Sequence, residues 1–232
     1  MRFFMIILTI FGLVLLLASP LFNISAIHVS GNTRISDAAV YDQIPAGNIF
    51  GFSGRKAKNQ LLQNPFIYHA TFSRNFFTRT LSVTITERQQ VAYVLFSENH
   101  YLMIDQDGRV LAVTEERTQN LPVITGLTFA PFTLGEYLDI ENAYSFATIS
   151  QLASLFLTYE IDPEIMSINI SDNQNLILNF DLITVSLGDA THLDEKFRTA
   201  LSILPSIDNF RNIGGTLDLS RLDGQWFFSL PL

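Results

Sequence analysis

The chain of 232 residues contains no cysteine, so no disulfide can hold it and its stability must come from a packed core. It has a single tryptophan and four methionines, but twenty phenylalanines to build that core. Basic residues are scarce: 14 Lys and Arg against 22 Asp and Glu leave a net charge of −8 and a pI near 4.9. No basic stripe is available to neutralise phosphates, which argues against a nucleic-acid partner. The same balance argues against peripheral binding to anionic lipid. The four histidines, His28, His69, His100 and His192, show no metal-ligand spacing, and no G-x-S-x-G elbow occurs. Ser53-Gly54-Arg55-Lys56 lacks the frame of a phosphate loop. Asp105-Gln106-Asp107-Gly108 has its glycine too early for a calcium loop, lacks the bidentate Glu, and reads as a hairpin turn. These absences imply a protein with no catalytic residue, no metal and no cofactor. A carboxylate pair for glycosidic cleavage is set in three dimensions and is not legible here. An exported cell-envelope enzyme, such as a peptidoglycan hydrolase, is therefore the alternative class.

Long apolar runs are also lacking, with one exception. Phe3–Ala18 carries no charge, and with Ser19–Phe22 it reaches twenty residues, about the 30 Å a helix needs to cross a bilayer. Arg2 is the only charged side chain before it and none follows until Arg34, which orients the N-terminus to the cytoplasm and the remainder outside. The competing reading is a cleaved signal, but cutting after Ala18 would put Leu16 at −3, where a small residue is needed. An uncleaved single-pass anchor is expected. Export without disulfides fits a bacterial cell surface.

After the anchor, Ile24–Ser30 is a β-branched run closed by Gly31-Asn32, and Ser36 and Ser53 stand where they can cap helices ending before Pro45 and Asn64-Pro65. Ile67–Arg74 alternates, with Tyr68, Ala70 and Phe72 on one face, and Thr80–Glu87 aligns Leu81, Val83 and Ile85. This order is β-α-α-β-β. From Gln89 a second unit begins, with strands at Val91–Phe96, Tyr101–Ile104 and Val110–Val113. A helix spans Asp139–Tyr159, strands follow at Ile165–Ile170, Leu176–Phe180 and Ile183–Leu187, and another helix runs from Thr191 to Pro205. Thr216–Leu219 and Trp226–Leu230 are strand-like. A terminal strand at a sheet edge can accept another chain as an added strand.

Phe22-Asn23-Ile24-Ser25-Ala26-Ile27-His28-Val29-Ser30-Gly31-Asn32 resembles the opening strand of the FtsQ-type POTRA domain. Gly47–Phe50, Asn64–Ile67 and Thr80–Arg88 follow in the order of that family. Ile104–Leu111, Leu121–Leu127, Leu134-Gly135, Val185–Gly188 and Leu217-Asp218-Leu219 extend the match, so the whole chain resembles the FtsQ/DivIB family of bacterial cell-division proteins. Three departures stand out: Arg74–Thr80 lacks the usual proline, Gln89-Gln90 replaces a common one, and two residues stand before the apolar run where members usually carry a longer cytoplasmic tail. The expected fold is α+β: a single transmembrane helix in residues 1–22, a small β-α-α-β-β POTRA domain in 23–88, and a larger, β-rich mixed α+β domain in 89–232. The resemblance implies a non-enzymatic, single-pass scaffold of the divisome at the plasma (inner) membrane and division septum. It implies partners of the FtsL and FtsB/DivIC coiled-coil type and, indirectly, the septal peptidoglycan synthase. Candidate partner-binding residues on the late strands are Leu217, Asp218, Leu219, Trp226 and Phe228.

Overall fold

Alternating Leu81, Val83 and Ile85 build the centre of one sheet, and a continuous apolar run from Val91 to Val94 forms a buried interior strand of a second. In the computed structural model, which describes residues 2–45, 47–118, 121–140, 143–159, 165–180, 182–204, 214–221 and 227–230, the chain divides into two compact units, Met1–Arg88 and Gln89–Leu232. The first unit opens with helix α1, Arg2–Leu17, none of whose residues is buried.

The expected transmembrane helix is overturned. Helix α1 has 16 residues, about 24 Å at the α-helical rise, against a hydrocarbon core of about 30 Å. Among the described residues no helix is long and apolar enough to cross a membrane. The reason is local. Ser19 precedes Pro20 and takes an extended conformation (φ −61°, ψ 148°), because the proline ring crowds the α region of its predecessor. Pro20 also brings no N–H to the helical ladder. Residues Pro20–Phe22 continue only as a 3-10 turn, capped by the Ser19 hydroxyl, which accepts from the Leu21 N–H. The fold is mixed α+β without that span.

Strand β1 (Ala26–Ser30), helices α2 (Asp37–Gln43) and α3 (Gly54–Leu61), and strands β2 (Ile67–Asn75) and β3 (Thr80–Glu87) complete the first unit. The sheet order is β1-β3-β2, with β3 central, parallel to β1 and antiparallel to β2. Ser36 and Ser53 cap α2 and α3 through their hydroxyls, which accept from the Ala39 and Lys56 N–H groups. Val40, Ala57 and Leu61 of the helices pack with Leu81, Val83 and Ile85. Strict alternation along β2 fails at its start. The register slips between Ile67 and His69, so Ile67 and Ala70 face the core and Tyr68 faces out, under the Arg88 guanidinium 5.1 Å from its ring centre.

The end of β3 is tied back to the loop before α2. Glu87 accepts from the N–H groups of Thr33, Arg34 and Ile35 at 2.9–3.0 Å and from the Thr33 hydroxyl at 2.7 Å. Gly31 lets the chain pass close enough: its φ is +81°, and a Cβ there would overlap the Ile85 carbonyl oxygen. Burial pushes the Glu87 carboxyl up, but the hydrogen bonds from Ile35, Arg34 and Thr33 outweigh it and hold its pKa below the usual 4.5.

In the second unit, strands β4 (Gln90–Ser97), β5 (His100–Asp105), β6 (Val110–Thr114), β7 (Val123–Thr125), β8 (Ile165–Asn169), β9 (Leu176–Phe180), β10 (Ile183–Gly188), β11 (Gly215–Asp218) and β12 (Phe227–Ser229) form one open sheet. Its order is β12-β11-β10-β9-β8-β7-β4-β5-β6. Helices α4 (Ala143–Tyr159) and α5 (Leu193–Ile203) touch β4 and β10 respectively and meet each other, with Leu152, Leu193, Phe197 and Ala200 in the core. The apolar spacing predicts a helix from Asp139, whereas α4 spans Ala143–Tyr159. Ile140 instead bridges to Phe129.

Because the folded Glu87 pKa is lowered, its contribution is whole above the usual carboxylate range and is lost as pH falls through the folded value. Glu87→Gln is expected to cost about 1–3 kcal/mol at neutral pH. Denaturant melts should show the gap between the two proteins closing below about pH 4. A constant gap across that range would refute the electrostatic origin.

Candidate partner-binding site

Five residues on the last two strands are the candidates, and the structure sorts four of them. Strand β11 runs parallel to β10 and antiparallel to β12, which ends the strand order. Leu217 is fully buried and Leu219 nearly so, both within the core of the sheet. The Leu219 N–H donates to the Ser186 carbonyl at 2.8 Å, so it faces β10, inside the sheet, and is not presented to a partner. Asp218 is exposed, and its carboxylate accepts from the Ser220 N–H at 2.9 Å, which turns the chain after β11. The Leu-Asp-Leu pattern is thus two core anchors around a turn-forming acid. Phe228 packs against the core opposite Leu217. Trp226 lies outside the described residues.

The residue the candidate set omits is Phe227. It lies opposite Asp218 in the ladder and is 61 % exposed. The period-two rule already assigns Phe227 and Phe228 to opposite faces. What the sequence lacks is the register that says which of them faces the core. Gly215 fixes that register. Its φ is +154°, and a Cβ there would overlap the Phe228 ring and lie 2.7 Å from the Ser229 carbonyl oxygen. The Phe228 ring therefore lies against the bare backbone of Gly215 and holds the three-residue β12 in place.

Elsewhere the polar residues serve local structure. The Asp105 carboxylate accepts from the Asp107 and Arg109 N–H groups at 3.0 and 2.8 Å, making the hairpin turn between β5 and β6. Arg109 donates to the Gly135 carbonyl at 2.7 Å and lies 3.9 Å from the Tyr137 ring centre, which joins two segments distant in sequence. His100 sits 3.4 Å from Glu115, and His69 lies 3.1 Å from the Lys58 ammonium. Lys196, almost fully buried, donates to the Asp189 carbonyl at 3.0 Å and to its carboxylate at 3.1 Å. The Thr191 hydroxyl and then Lys196 hold the Asp189 carboxyl below its usual range. Among the described residues no group of three or more His, Cys, Asp or Glu is placed to hold a metal.

A small β-α-α-β-β unit followed by a β-rich unit that ends on a short terminal strand defines a class of protein built on a POTRA domain. Residues 22–88 match the FtsQ-type POTRA domain, and residues 92–223 match the C-terminal domain of the cell division protein FtsQ/DivIB. The chain belongs to the FtsQ/DivIB family of cell-division proteins. It is similar to the cell division protein DivIB of Clostridium tetani, with 27 % identity over 196 residues that cover 83 % of this chain and 73 % of the relative. The DivIB protein of Clostridium acetobutylicum is 26 % identical over 196 residues, covering 83 % and 77 %.

Gly215→Ala should free β12 while sparing the interior of the sheet. Hydrogen exchange by mass spectrometry is expected to show faster exchange at Phe227–Ser229, with β4 and β9 unchanged. Uniform loss of protection throughout the second unit would show that β12 is part of the cooperative core.

Proposed function

We propose that this cell-division protein is a non-enzymatic scaffold that binds a coiled-coil partner of the FtsB/DivIC type by strand addition at the β12 end of its second sheet. The observation that carries this reading is the place of β12, last in the strand order, with the Phe227 side chain exposed beside it. A terminal strand offers a template for a further strand, and an exposed aromatic next to it offers an anchor. Through that partner the scaffold engages an FtsL-type protein and helps control the septal peptidoglycan synthase. Its place of work is the membrane at the division septum, and α1, apolar and without a buried residue, is the segment suited to meet that membrane.

Titration of the full chain in detergent with the partner's segment tests the reading. Phe227→Ala is expected to weaken binding about tenfold or more at an unchanged melting temperature, since the side chain is outside the core. Leu217→Ala, by contrast, should cost about 2–5 kcal/mol of stability. Unchanged affinity in both Phe227→Ala and Gly215→Ala would remove the β12 edge from the mechanism.

A further inference from the structure

The net charge of −8 conceals a division between the two units. Met1–Arg88 holds eight Lys and Arg against three Asp and Glu, a net of +5, which leaves −13 on Gln89–Leu232. The whole-chain balance that argues against anionic lipid therefore does not describe the first unit.

That basic unit carries an aromatic platform beside the end of α1. The Asn48 amide donates to the Leu17 and Ser19 carbonyls at 2.7 and 3.1 Å, and the Arg79 guanidinium donates to the Leu21 carbonyl at 2.9 Å. These bonds hold the end of α1 against the loop before α3 and against the β2–β3 turn. Phe22 meets Phe50 edge-on at 5.2 Å between ring centres, and Phe50 stacks on Phe76 at 5.1 Å. The Arg74 guanidinium lies 5.5 Å from the Phe76 ring centre. Phe77 stands at the tip of the turn, completely exposed, where the Asn75 side chain accepts from the Phe77 and Thr78 N–H groups at 3.0 and 3.1 Å. Leu21, Phe50 and Phe76 are exposed as well.

We propose that this platform seats on the surface of an anionic bilayer, with Phe50, Phe76 and Phe77 among the acyl-chain ends and Arg74 and Arg79 at the level of the lipid phosphates. Two observations select lipid as the occupant. The platform continues directly from α1, which is apolar and exposed along its length. It also sits in the one unit whose charge complements an anionic surface, where each Arg contributes favourably and the attraction fades within a Debye length. Aromatic rings at the headgroup level with arginines reaching to phosphate suit such a boundary. The contact orients the first unit at the membrane surface and is independent of how any partner binds the second unit.

The absence of cysteine makes the test clean. Phe77→Cys in the full chain takes one environment-sensitive, thiol-reactive dye. Tyr68→Cys places the same dye on another exposed residue toward the opposite end of β2, about 23 Å away along the strand. Both proteins are reconstituted into vesicles of phosphatidylcholine, with or without phosphatidylglycerol. On the anionic vesicles the dye at 77 is expected to shift to the blue and to be quenched by brominated acyl chains. High salt should reverse the shift, and the dye at 68 should stay aqueous. Aqueous emission at 77 on both lipids overturns the proposal, and an equal response at 68 and 77 does so by showing unoriented adsorption. An equal shift on the uncharged vesicles overturns the anionic assignment. A shift that appears without lipid and grows with protein concentration would assign the platform to a second copy of the chain.

Discussion

The first unit depends on one carboxylate. Strand β3 is central in its sheet, and Glu87 at its end gathers the N–H groups of three successive residues, Thr33, Arg34 and Ile35. Three backbone donors converge on this one anion, and they would be costly to leave unpaired. With Gly31 passing against the Ile85 carbonyl, the same carboxylate sets where α2 begins and hence how Val40 enters the core. The acid-arginine pair that closes this strand is thus structural: Glu87 clasps the loop and Arg88 covers Tyr68.

In the second unit the governing condition is that an open sheet must stop. At one end it stops on β12, three residues long, held by Leu217 and Phe228 in the core and by the fit of the Phe228 ring against Gly215. A short strand is a poor template for unwanted pairing and is weakly held. The buried Lys196 finds its charge partner in Asp189 just after β10, so α5 can set a cation against the sheet without leaving it unpaired.

The two units carry opposite charge, +5 and −13. The basic one bears the aromatic platform beside α1, and the acidic one bears the sheet edge. A whole-chain sum averages these into a mild acidity that describes neither half. Charge acts over about a Debye length, so its meaning belongs to the unit and not to the chain.

Much of this was legible in the residues alone, because local rules had no competitor. Ser36 and Ser53 cap helices because their hydroxyls reach N–H groups three residues on, and Leu81, Val83 and Ile85 are buried because alternation along a central strand leaves no choice. The ordered motifs identified the family, since each records a close approach or a turn that this fold requires. The apolar run at the N-terminus misled because composition does not see Ser19-Pro20 ending the helix. Register was equally invisible: the slip that turns Tyr68 outward and the pairing that puts Phe228 inside and Phe227 outside both depend on a partner strand distant in sequence. The sequence by itself determined most of the helices and strands and the family they spell. Only the tertiary structure decided which side chains of β2 and β12 are wet, because that choice is made by the neighbour across the ladder and not by the residue.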